Sequence, residues 1–77
     1  MIIVIWINRK AKYVGLETLE GWEADTHKED REELWYRTVH TPQQLKSVID
    51  DTCRVTSMAG FEFESEKWSE EMVKYLK

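Results

Sequence analysis

One cysteine, one proline and three isolated glycines are all that the 77 residues contain of those types, and the longest apolar run is residues 2–7. Each scarcity excludes something. A single cysteine, Cys53, rules out an internal disulfide and suits a reducing compartment. A structural zinc needs about four ligands, and the soft ones present, Cys53, His27 and His40, lack ligand spacing. The apolar run is far short of the ~20 residues a bilayer-spanning helix needs, and no basic segment precedes it as in a signal peptide. The expectation is a cytoplasmic protein with no membrane contact. Gly15, Gly21 and Gly60 stand alone, so no phosphate-cradling loop is present. Without repeats, low-complexity tracts or linkers, the length points to one domain over residues 1–77.

What is present begins with tryptophan. A chain this short buries only roughly 60% of the surface its unfolded form exposes, so it needs dense aromatic packing or self-association. Trp6, Trp22, Trp35 and Trp68 are a heavy load for the size. Net charge is −4, unevenly spread. Arg9, Lys10 and Lys12 cluster after the first apolar run; Glu17, Glu20, Glu23 and Asp25 open a long acidic stretch, and Glu62, Glu64, Glu66, Glu70 and Glu71 form a second. Such a surface repels phosphate backbones and attracts basic protein surfaces, although charge of this kind ordinarily serves solubility.

Residues 2–7 are β-branched or aromatic throughout and read as a strand, central because both faces are apolar. Residues 8–11 make a turn, and a second strand returns through Tyr13, Val14 and Leu16. Residues 21–25 alternate as a strand would, with Gly15 or Gly21 marking a bulge or bend. The polar residues 26–31 read as an exposed loop and residues 34–40 as a third strand; a helix beginning near Glu29 is the competing reading, and the β-branched Thr38-Val39 end favours the strand. Thr41-Pro42-Gln43-Gln44 is the sharpest local signal: Thr41 as N-cap, Pro42 at the first helical position, Gln44 closing a capping box. Leu45, Val48, Ile49 and Cys53 then form an apolar stripe. That helix either continues to Met58 and stops at Gly60, or ends near Thr52 and yields to a strand; residues 61–64 are strand-like in both cases. Ser65 caps a last helix with Trp68, Met72, Tyr75 and Leu76 inward and Glu70 paired to Lys74 outward. The expected fold is α+β in the order β-β-β-α-β-α, a small antiparallel-dominated sheet with two helices on one face.

Catalytic parts are not assembled. Cys53, on the apolar stripe beside Arg54, reads as a small core residue rather than a nucleophile. His40 reads as a staple towards Leu45 and His27 as solvated. The expectation is a protein that is not an enzyme and carries no cofactor or metal. A nucleic-acid accessory role would use Arg9, Lys10 and Lys12 with Trp35-Tyr36-Arg37, but adjacent strand residues face opposite ways, and the acidic balance disfavours a phosphate partner.

A small protein-binding module is the reading that fits best. Trp22, between Glu20 and Glu23, is the expected exposed anchor, with Glu17, Glu20, Glu23 and Asp25 steering a larger protein with a basic surface. In size, acidity and absence of catalytic chemistry the chain resembles the short inhibitors that phages use against host defences, anti-CRISPR proteins among them, though no motif carries that likeness. The remaining alternative is a structural homo-oligomer subunit, a homodimer pairing through strand 2–7.

Overall fold

A computed structural model of the protein describes residues 1–25 and 33–76. The stretch 26–31, expected as a loop, and His27 within it lie outside the described residues. Three antiparallel strands, β1 (Ile2–Asn8), β2 (Tyr13–Thr18) and β3 (Glu33–Thr38), lie in the order β2-β1-β3. β1 is central because it is apolar on both faces and must be covered on both. Ile3 and Ile5 join Val14, Leu16, Val39, Leu45, Ile49 and Met72 in one cluster, while Val4 and Trp6 meet Trp22 on the opposite face. The expected α+β class holds, with antiparallel strands and the two longer helices packed on the Ile3–Ile5 face, while a short helix carrying Trp22 packs on the opposite face. The expected homodimer through strand 2–7 does not: β2 and β3 occupy both edges of β1, which leaves it no free backbone groups for a second chain.

The β1–β2 turn is set by Asn8, whose side-chain Oδ1 accepts from Ala11 N at 2.9 Å, and by Lys12 at φ 55°. Trp6 opposes Gly15 across the strands. A Cβ on Gly15 would lie 2.1 Å from Trp6 Cζ2, so Gly15 is neither bulge nor bend. It is the gap in which the indole lies, a close approach that only glycine permits.

Residues 21–25 were expected as a strand and instead belong to a short helix, α1 (Leu19–Ala24). Thr18 caps it, its Oγ1 accepting from Gly21 N at 3.0 Å; that cap outweighs a weak alternation containing glycine. Helix α2 (Pro42–Met58) takes the longer of its two expected forms. Thr41 Oγ1 accepts from Gln44 N at 3.1 Å and Gln44 Oε1 accepts from His40 N at 2.7 Å, a cap worth about 1 kcal/mol. Its far end is a Schellman motif: Gly60 N donates to Ser57 O at 3.2 Å and Phe61 N to Thr56 O at 2.9 Å, with Gly60 at φ +82°. The inward stripe is Leu45, Ile49, Thr52 and Thr56, with Cys53 only half-buried. Exposed His40 is not the staple; the preceding Val39 is buried with Leu45.

The expected fourth strand shrinks to one bridge. Glu62 pairs parallel with Tyr13, its N donating to Lys12 O at 2.8 Å and its O accepting from Val14 N at 2.9 Å. That segment covers the outer edge of β2. Helix α3 (Ser65–Val73) follows, capped at Glu64 rather than Ser65 and without a side-chain cap bond. Met72 is buried as expected, but Tyr75 is exposed, and Lys74 pairs with Glu71 rather than Glu70. Trp68 touches both apolar clusters and meets Trp6 edge-on at 6.5 Å.

Candidate functional site

The exposed-anchor role expected of Trp22 is corrected by its position. In α1 the residue points at Val4 and Trp6 and is 7% exposed. A six-residue helix has one face to bury, and Trp22 is the residue that buries it. The acids around it do different things. Glu17 Oε1 accepts from Thr18 N at 3.0 Å, at the start of the helix, and Asp25 caps its end, donating its backbone N–H to Trp22 O at 3.2 Å. Glu20 and Glu23 face solvent. The four carboxylates are thus brought together around α1, without an exposed aromatic residue at their centre.

The basic hairpin is also changed by its setting. Arg9 forms an ion pair with Glu33, Nε donating to Oε2 at 2.8 Å, and lies 5.9 Å from the Phe61 ring centroid. Lys10 and Lys12 remain exposed on the turn. Tyr13 donates to Glu64 Oε2 at 3.2 Å. Burial, then that bond and the Glu64 charge, push its hydroxyl above the ordinary 10.0, with a smaller opposite effect from Trp68. It therefore stays a protonated donor at neutral pH and ties β2 to the start of α3. Among the described residues, no three His, Cys, Asp or Glu side chains are placed to hold a metal ion, and no helix is long and apolar enough to cross a membrane.

The exposed aromatic surface is on β3. Trp35 is 49% exposed and Tyr36 52%. They face opposite sides, as alternation requires: Trp35 opposes Ile5 and shares the side of α2, while Tyr36 opposes Val4. β3 lies at the edge of the sheet, and no strand among the described residues pairs with its outer side. Polar neighbours hold Trp35 in place. Its Nε1 donates to Glu33 Oε1 at 3.3 Å, and the Arg37 guanidinium lies 5.7 Å from its ring centroid, within cation–π range. Arg37 Nη1 also donates to Tyr36 O at 2.8 Å.

Beside this strand a cleft of about 340 Å³ opens between β3 and α2. Ile5, Ile7, Val14 and Val48 form its apolar wall, Trp35 and Arg37 one lip, Asp51 and Val55 the other. The cleft exists because α2 turns threonines towards the sheet. Thr56 Oγ1 donates to Thr52 O at 2.6 Å, which satisfies its hydroxyl but leaves it too short to fill the space over β3. Sequence reasoning missed this surface: it weighed Trp35 and Tyr36 only as nucleic-acid stackers. The available signal was that residues 35–38 carry polar or amphipathic side chains on both faces, the pattern of an edge strand rather than a buried one. Compared with known proteins, the chain matches no family model, no curated protein and no solved structure.

Proposed function

We propose that this chain is a non-enzymatic protein-binding module that meets its partner through the outer edge of β3. The observation that carries the reading is an edge strand that no other strand pairs on its outer side among the described residues, with a half-exposed aromatic residue on each face. Unpaired strand groups supply main-chain hydrogen bonds to an incoming extended segment, and Trp and Tyr are the side chains most often found as binding anchors. The net charge of −4 favours approach to basic surfaces, and exposed Glu20 and Glu23 contribute to that steering. An inhibitor that works by covering a surface on a larger protein, of the kind phages direct against host defences, is the finer form of this reading. A nucleic-acid role has less support, because Arg9 is committed to Glu33 and two lysines on a turn are a small foothold for a phosphate backbone.

The test is comparative capture from a bacterial lysate. Immobilised wild-type chain, Trp35→Lys and Lys10→Glu are each incubated and the bound proteins quantified by mass spectrometry. The expected result is a set of proteins retained by wild type and by Lys10→Glu but depleted at least tenfold on Trp35→Lys, about 1.4 kcal/mol of lost affinity. Equal profiles on wild type and Trp35→Lys would overturn the assignment of β3.

A further inference from the structure

We infer that in the free chain the β3 edge is self-complementary and pairs with a second copy of this chain, a pairing that a larger partner on the same edge displaces; the inference rests on the reading of β3 as the contact strand. A twofold axis perpendicular to the sheet generates an antiparallel pair of β3 strands that continues the sheet. Side chains alternate between faces, so such an axis must pass through a residue. Passing through Trp35, it sets Glu33 of each copy opposite Arg37 of the other. The two Trp35 side chains then meet on the α2 face, and Leu34 meets Tyr36 on the other. Opposite charges, paired aromatics and an aromatic–aliphatic pair are the cross-strand combinations that stabilise a sheet. Neighbouring axes lose this match: one through Leu34 opposes Glu33 to Trp35, and one through Tyr36 opposes Arg37 to Trp35.

The side chains are already arranged on the required face. Glu33, Trp35 and Arg37 oppose Ile7, Ile5 and Ile3 and so share the α2 side. Glu33 is bound by Arg9 through Oε2, and a carboxylate has lone pairs for a second guanidinium. Arg37 uses one N–H on Tyr36 O and has four others to offer. Pairing also removes the exposed edge, a feature that natural sheets otherwise protect. Because the axis is perpendicular to the sheet, both clefts open on the same side, one on each flank of the paired Trp35 residues.

The test uses charge exchange across the register. Sedimentation equilibrium of wild type from micromolar to millimolar concentration should give a mass rising towards twice the 9.3 kDa chain, with weaker association in high salt. Glu33→Arg alone opposes Arg to Arg at both ends, and Arg37→Glu alone opposes Glu to Glu, so each should associate at least tenfold more weakly than wild type. Mixed one to one, the two variants restore both charge pairs, and a heterodimer should form with near wild-type affinity. Glu33→Arg also breaks the pair with Arg9, so the two variants are mixed only after each shows the wild-type far-UV circular dichroism spectrum; Glu33→Gln, which removes the charge without opposing Arg9, replaces it if Glu33→Arg does not fold. A wild type that stays monomeric at millimolar concentration, or variants that do not associate on mixing, would overturn the inference. Lysate capture that still depends on Trp35 in a monomeric wild type would separate that failure from failure of β3 as the contact strand.

Discussion

Trp22→Ala is expected to lose about 3–5 kcal/mol, as large buried aromatic truncations do. Domains hold only about 5–15 kcal/mol in all, so a substantial fraction of the variant should be unfolded at physiological temperature. Trp22 is the one residue of α1 in the core, where it covers Val4 and Trp6. Without it only half-buried Leu19 packs the helix against that cluster, and Val4 and Trp6 lose their largest cover on that face. Urea denaturation followed by far-UV circular dichroism measures the loss. The matched comparison is Trp35→Ala, which removes a side chain already 49% exposed and should leave the midpoint close to wild type. A near wild-type midpoint for Trp22→Ala would mean that Trp22 faces solvent and would return the acidic segment around α1 to consideration as the binding surface.

The second large effect is expected from one added methyl group. In Gly15→Ala the new Cβ falls 2.1 and 2.4 Å from Trp6 Cζ2 and Cε2, so the indole has to move. It is hemmed in by Tyr13, with ring centroids 5.6 Å apart, and by Trp68. Overpacking of this kind costs typically 1–3 kcal/mol, and this case belongs at the upper end because a rigid ring, not a flexible tip, is what must yield. Adding Trp6→Leu should recover part of the loss: the two substitutions share one space, so their costs should not add. Strict additivity in the double-mutant cycle would show that Gly15 and Trp6 do not share that space.

The parts of the fold that the sequence makes legible are those fixed by local chemistry. The unbroken apolar run of β1 demands cover on both faces, and the Thr41-Pro42-Gln43-Gln44 cap and Gly60 mark the ends of α2. The parts that were not legible depend on distant partners. Residues 21–25 alternate weakly, and only the Thr18 cap and the docking of Trp22 onto Trp6 make them a helix. Phe61 and Phe63 look like strand residues, yet β2 offers the segment a single bridge at Glu62. The candidate site followed the same logic. Among four tryptophans, acidic flanks suggested exposure for Trp22, but flanking charge does not set which way a side chain points. Trp35 is exposed because β3 is last in the sheet and α2 does not reach over it, two facts about strand order and helix placement that no local pattern contains.

The indole region of a ¹H–¹⁵N correlation spectrum, recorded as protein concentration is raised from micromolar to millimolar, tests the central claim most directly. Each of the four tryptophans contributes one side-chain signal. The account predicts that the Trp35 signal shifts or broadens with concentration while those of Trp6, Trp22 and Trp68 stay in place. A stationary Trp35 signal, or one from Trp22 that moves in its stead, would contradict the claim that the chain pairs with itself through the edge of β3.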